Sequence, residues 1–358
     1  MRKKSIKNLE VHFEIKDDLK LLNIMLTDSR SQSSLYNPGP YWVTKTINAA
    51  NEIKKYGIAD FRGSTNLIGY SFSDNLNIDI RNAYNHGLRR LIRWMMKTYP
   101  LSKIYEAQVQ MTKSYAIENI AFAQEIINKN EKTRKLLEKY TIPYSLLGGC
   151  LRKVIIDGYD YSIHYLDLLE WHDNISSRIK FTDARSIFEI GGGFGANIHL
   201  LLENYKNIRK VLYLDIPPNL YVGTQYLKAF YGKAVFDYKA LAHLDSIKFS
   251  TDDNIEIFCI APYQIEKFES EVDIFMNSDS FVEMPRNVVE NYVDKFNGFP
   301  GSENAAVALS TYSNFDLNTT FHPSELPKFF HNKEFESLEK CYLLNSSIKN
   351  IYFLSSGK

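Results

Sequence analysis

From Ser186 the sequence reads Ser-Ile-Phe-Glu-Ile-Gly-Gly-Gly-Phe-Gly-Ala-Asn, an apolar run with an acid near its end and then four glycines in five positions. Glycine at 191, 193 and 195 lets a backbone turn sharply and approach a ligand with no Cβ in the way. An amphipathic pattern resumes at 198–202, so the free N–H groups of a helix start point into the turn. Gly191, Gly193 and Gly195 are therefore candidate contacts of a nucleotide cofactor, with Glu189 supporting the loop or touching the ligand. Asp215 closes a second apolar run 24 residues after Gly191, where a carboxylate can accept both hydroxyls of a ribose. A third run ends in Asn277-Ser278-Asp279-Ser280-Phe281-Val282-Glu283. Asp279 and Glu283 stand at i, i+4 and share one side of a helical turn, which makes them candidate proton acceptors. Histidine is the commoner general base, so His243 and His164 are their rivals. No Asp, Glu or His grouping has metal-ligand spacing, and Cys150, Cys259 and Cys341 are unclustered.

These groups need a sheet to converge. After Arg185 the chain alternates strand patterns at 186–190, 210–214, 255–261, 272–277 and 305–311 with helical ones at 195–204, 219–231 and 286–296. Such a rhythm predicts a parallel α/β sheet covered on both faces, with reacting groups at the carboxyl ends of its strands. Strand-like runs at 339–343 and 348–354 around Leu344-Asn345-Ser346-Ser347 predict a terminal hairpin that makes the last strands antiparallel. Upstream, Leu88, Leu91, Ile92 and Met95 repeat at i, i+3, i+4, i+7, opening a helical layer over 88–142. Residues 42–56 also look helical. A helix at 161–171 is expected to carry Tyr161 and His164 towards the acceptor. Residues 1–150 thus read as a mainly helical cap or dimer contact, and 151–358 as the catalytic domain.

Composition bounds the partners. The 358 residues are 44% apolar and 24% charged, with a formal net charge of +1, ordinary for a folded soluble chain. No general grip on nucleic acid follows from that balance, and Arg89, Arg90, Arg93 and Lys97 read as a solvated helix face. No apolar stretch reaches the length of a membrane span and no apolar run follows the basic Met1-Arg2-Lys3-Lys4. Unclustered cysteines fit a reducing cytoplasm.

The glycine loop satisfies both the dinucleotide pattern, Gly191-x-Gly193-x-x-Ala196, and the S-adenosylmethionine pattern, Gly191-x-Gly193-x-Gly195. Glu189 two residues before the loop, the mid-chain position and the terminal hairpin favour the second. Three blocks then add a resemblance: Phe188-Glu189-Ile190-Gly191-Gly192-Gly193-Phe194-Gly195, Tyr213-Leu214-Asp215-Ile216-Pro217-Pro218-Asn219-Leu220, and Asn277-Ser278-Asp279-Ser280-Phe281-Val282-Glu283-Met284. On these the stretch 186–297 resembles a class I S-adenosylmethionine-dependent methyltransferase, and more narrowly the bacterial sugar O-methyltransferases. Asp60-Phe61-Arg62-Gly63 and Gly158-Tyr159-Asp160-Tyr161-Ser162 extend the likeness upstream. It implies a Rossmann-like fold, S-adenosylmethionine as cofactor and a sugar or glycan hydroxyl as acceptor, in cell-surface polysaccharide or lipopolysaccharide synthesis. It also implies that Asn277 contacts the methionine portion or lines the acceptor. The adenine is expected near Ala261-Pro262-Tyr263-Gln264, where the usual acid is missing and Gln264 or a backbone carbonyl must serve. No Asn/Asp-Pro-Pro-Tyr/Phe motif follows the fourth strand and no Pro-Cys dipeptide exists, which disfavours amino and pyrimidine methylation. A nicotinamide-dependent oxidoreductase and a non-catalytic assembly module are the competing classes.

Overall fold

Consecutive side chains of a strand point to opposite faces, and both faces of the central strands here are apolar. Ile187, Val211, Ile257 and Ile274 enter one core, while Phe188, Leu212, Phe258 and Phe275 enter the other. The structure, a computed structural model, describes residues 13–63, 120–121, 123–312, 320–341 and 349–357. Most of the expected helical layer, with Arg89, Arg90, Arg93 and Lys97, lies outside the described residues.

In chain order come α1 (Leu19–Arg30), α2 (Pro40–Tyr56), α3 (Glu131–Lys139), β1 (Lys153–Ile156), β2 (Tyr159–Ser162), α4 (Ile163–Ser176), β3 (Ser186–Ile190), α5 (Ala196–Asn204), β4 (Lys210–Leu214) and α6 (Asn219–Tyr231). Then follow β5 (Val235–Phe236), α7 (Tyr238–Ala242), β6 (Glu256–Ile260), β7 (Ile274–Ser278), α8 (Arg286–Asn297), β8 (Ala306–Tyr312), β9 (Glu336–Cys341) and β10 (Lys349–Ser355). Local chemistry sets the helix starts. The Asp18 carboxylate accepts from the Leu21 N–H at 3.0 Å and caps α1, and α2 opens on Pro40, whose missing N–H costs nothing at a first position.

The main sheet has the order β5-β6-β4-β3-β7-β8-β10-β9. All pairs from β5 to β8 are parallel. β10 runs antiparallel to both β8 and β9. This is the expected antiparallel terminal hairpin: it folds back so that β10 inserts beside β8, and β9 outside it runs in the common direction. The result is a Rossmann-like sheet, mostly parallel with one inserted antiparallel strand.

A correction concerns Tyr161. It lies on β2, not on a helix, because Asp157 and Gly158 both take positive φ (51° and 84°) and turn β1 back onto β2 as a two-residue hairpin. The helix starts two residues later, at Ile163, and still carries His164.

Candidate active site

Parallel pairing of β3 with β4 brings their carboxyl ends together. There the Gly191 N–H donates to the Leu214 carbonyl at 2.8 Å, and the Gly193 N–H donates to Asp215 Oδ2 at 2.9 Å. Asp215 Oδ1 accepts from the Ile216 N–H at 2.7 Å, and the Tyr213 hydroxyl donates to the Gly193 carbonyl at 2.5 Å. Asp215 therefore shapes the loop as well as facing the cleft. Its carboxyl is pushed up to about 7, burial outweighing the two N–H donors. Gly191 takes φ 73°, and a Cβ there would collide with Ser280 Oγ. Gly193 takes φ 59° with open space where its Cβ would stand. Gly195 packs on Leu227 of α6 and starts α5.

Glu189 lies beneath the loop. Its Oε1 accepts from Asn197 Nδ2 of α5 at 2.7 Å, while the buried Oε2 has no hydrogen-bond partner. A Cβ on Gly192 would stand 2.6 Å from that oxygen. Burial pushes the carboxyl up to about 7, because this face of the sheet is the apolar core against α5 and α6.

The end of β7 supplies the opposite edge. Asn277 is a tie: its Nδ2 donates to the Ile190 carbonyl at 2.9 Å and to Ser280 Oγ at 2.6 Å, and its Oδ1 accepts from the Phe281 N–H at 3.2 Å. It fixes the β7 turn against β3, which seats Ser280 beside Gly191. Asp279 follows in a left-handed conformation, φ 62°, a strain of about 1–3 kcal/mol for a residue with a Cβ. Its Oδ1 is buried without a hydrogen-bond partner. Burial and the charge of Glu283 push its carboxyl up to about 7. Glu283 ends a short 3-10 turn and is itself buried. Its Oε2 accepts from Trp42 Nε1 at 2.8 Å and its Oε1 from the Tyr312 hydroxyl at 2.5 Å. Burial and the two carboxylates raise Tyr312 far above the ordinary phenol range, so it stays a donor. Sequence reading missed Trp42 and Tyr312, since neither sits in a pattern that marks it and Trp42 is 241 positions from its partner.

A cleft opens between these edges, lined by Gly191, Asp215, Ser280, Met284 and Tyr292, with Trp42 on its far side. Other expected residues lie elsewhere. His164 is packed 5.5 Å from the Phe194 ring, behind the loop; burial first, then Arg62 and Arg152, drives it down to about 3. It is neutral and a weak base. His243 caps the end of α7, exposed and outside the cleft lining. Tyr161 is half-buried on β2. Gln264 is buried and turned back on its own turn, its Oε1 accepting from the Ala261 N–H at 2.8 Å, although its buried Nε2 has no partner. Among the described residues no group of three or more His, Cys, Asp or Glu side chains could hold a metal ion, and no helix is long and apolar enough to cross a membrane.

No model of a known protein family matches the chain, and no curated protein does. Among solved structures it is similar to the mitomycin 7-O-methyltransferase MmcR, at 13% identity and a TM-score of 0.36, over 54% of this chain and 54% of that one. It is similar to the magnesium protoporphyrin IX methyltransferase ChlM of Synechocystis PCC 6803, at 10% identity and 0.36, over 54% and 79%. It is also similar to human N-acetylserotonin methyltransferase, at 12% identity and 0.32, over 54% and 56%. The chain spans about half the length of the first of these structures.

Proposed function

We propose that the protein is an S-adenosylmethionine-dependent O-methyltransferase whose acceptor is a sugar hydroxyl, serving cell-surface polysaccharide or lipopolysaccharide synthesis. The observation that carries the cofactor is the placement of β10. A dinucleotide-binding sheet is assembled from two βαβαβ halves with parallel strands, whereas here an antiparallel strand is inserted between β8 and β9. The cradle fits the group. Gly193 leaves open space above a left-handed turn, Asp215 lines the cleft beside it, and the free N–H groups at the start of α5 follow directly. Glu189 supports that loop from below, whereas Asn277 and Gln264, both expected contacts, are engaged in hydrogen bonds within the chain.

S-adenosylmethionine, when bound, supplies an electrophilic methyl group. The chain must then hold an acceptor hydroxyl in line with it and take the proton. Neither Asp279 nor Glu283 is among the residues lining the cleft, although Ser280 and Met284 beside them are; of the two carboxylates, Asp279 fits the second task better. Both Glu283 oxygens accept hydrogen bonds from Trp42 and Tyr312, while Asp279 Oδ1 has none. The fixed Glu283 charge nearby also raises the proton affinity of Asp279. The sugar acceptor is supported by the Asp215–Leu220 and Asn277–Met284 blocks, which are more specific than the loop.

Calorimetry with S-adenosylhomocysteine and with NADH separates the two cofactor classes: the first should bind and the second should not. A mass-spectrometric methylation screen over nucleotide sugars and surface glycans then identifies the acceptor. Methylation confined to non-sugar compounds would end the sugar assignment. With an acceptor found, kcat/KM should rise with pH through a value near 7, because Asp279 must be ionised. Asp279→Asn should abolish that rise while S-adenosylhomocysteine still binds; an unaltered profile removes Asp279 as the base.

A further inference from the structure

Residues 33–42 carried no functional signal in the sequence, yet they cross the candidate site. Tyr36 is buried in the core under α8, its hydroxyl donating to Glu266 Oε1 at 2.6 Å and its ring 6.4 Å from that of Tyr292. Ala49 and Ile53 of α2 are buried in the core on the opposite face of the sheet. The chain between them must pass over the carboxyl ends of the strands. Two contacts hold it there. Trp42 Nε1 donates to Glu283, and Gly39 approaches Pro285 so closely that a Cβ would stand 2.9 Å from Pro285 Cδ. Asn37, Pro38 and Trp42 then line the same cleft as Gly191 and Asp215.

We propose that residues 37–42 form a wall of the cofactor site, with Trp42 lying against the bound cofactor. This rests on the S-adenosylmethionine reading given above. The chemistry suits the position. A proline and an indole give a rigid apolar surface that excludes water and loses little side-chain entropy on binding. The indole N–H is satisfied by Glu283, so the ring can be buried by a ligand at no cost in hydrogen bonding. Gly39 is required because a side chain there would push the wall off the rigid Pro285 ring.

The test uses the full chain and S-adenosylhomocysteine. Trp42→Ala and Gly39→Val should each weaken its binding by about tenfold or more, measured by calorimetry. Trp42→Phe keeps a ring, so it should bind within about threefold of the wild type. In the wild type, adding S-adenosylhomocysteine should change the tryptophan emission, and in Trp42→Phe that change should disappear although the ligand is bound. A purely structural role of Trp42 would leave the emission change in place. Wild-type binding with unchanged affinity in Trp42→Ala and Gly39→Val, or an undiminished emission change in Trp42→Phe, overturns the wall alone. No binding of S-adenosylhomocysteine by the wild type overturns the cofactor reading and the wall with it.

Discussion

Glu189 illustrates how a loop-supporting acid costs stability. Its carboxyl has an ordinary value near 4.5 and is pushed up to about 7 by burial. The folded state therefore holds a proton between these values that the unfolded chain has released, and stability falls as pH rises through that window. Glu189→Gln keeps the acceptor for Asn197 and cannot ionise. Its melting temperature relative to the wild type should climb steadily between about pH 5 and pH 7.5. Any constant penalty of the amide appears as an offset, so the slope is the readout, and a flat difference would refute the buried charge. Asp215→Ala should weaken S-adenosylhomocysteine binding by about 1–3 kcal/mol, the range for losing a buried hydrogen-bonding carboxylate; unchanged affinity in calorimetry removes Asp215 from the site. The placement of both acids was legible, because Glu189 lies within and Asp215 directly after an apolar run that had to be a buried strand. The roles of Asn277 and Gln264 were not, since an amide that ties two strands and one that faces a ligand look alike in sequence.

At the scale of elements, β3, β4 and α6 could be drawn to the residue, because predominantly apolar runs bounded by glycine, acid or proline leave little latitude. β5 escaped notice: two residues, Val235 and Phe236, carry no periodicity. The β1–β2 hairpin had a readable signal in Asp157-Gly158 between apolar runs, obscured by the helical pattern just after it. One feature of β4 no pattern announces. Lys210 at its start is buried, and its Nζ donates to Ser250 Oγ at 2.9 Å, the Asn254 carbonyl at 3.0 Å and Glu256 Oε2 at 3.0 Å, with Asp252 Oδ1 at 3.3 Å. The ammonium pins the 250–256 loop to the sheet. Lys210→Met matches its bulk but leaves Glu256 with the Ser250 N–H in place of its ammonium partner and removes the donor to the Asn254 carbonyl, and should cost about 2–3 kcal/mol, less than a fully buried pair because Asp252 reaches solvent. Urea unfolding reads that cost. S-adenosylhomocysteine affinity should not change, since Lys210 and Asp215 sit at opposite ends of β4; a loss of affinity without a loss of stability would contradict this placement.

For the whole molecule, residues 13–63 are woven into the sheet's own packing. Leu22, Met25, Ile53, Ile58 and Phe61 are buried in the same core as Ile187, Val211 and Leu227. Polar ties reinforce this: the Tyr221 hydroxyl donates to Asp17 Oδ1 at 3.1 Å and accepts from the Asp18 N–H at 2.7 Å, and the Tyr238 hydroxyl donates to Asp28 Oδ2 at 2.5 Å. Arg62 is buried with its guanidinium donating to Ser162 Oγ at 2.6 Å. Residues on both sides of position 150, where the helical pattern suggested a boundary, share this core, because helical periodicity reports a face to be buried but not the partner that buries it. A chain beginning at residue 151 would expose the apolar faces of α4 and α6 and leave Tyr221 and Tyr238 without their acid partners. Each large buried side chain removed from such a core takes about 2–5 kcal/mol with it, and a domain holds only about 5–15 kcal/mol in total. The shortened chain should therefore melt without a cooperative transition, bind a hydrophobic dye at room temperature and fail to bind S-adenosylhomocysteine. A sharp two-state transition in calorimetry for residues 151–358 would show instead that the sheet folds without its N-terminal partner, and that the wall over the cleft is an addition to a finished domain.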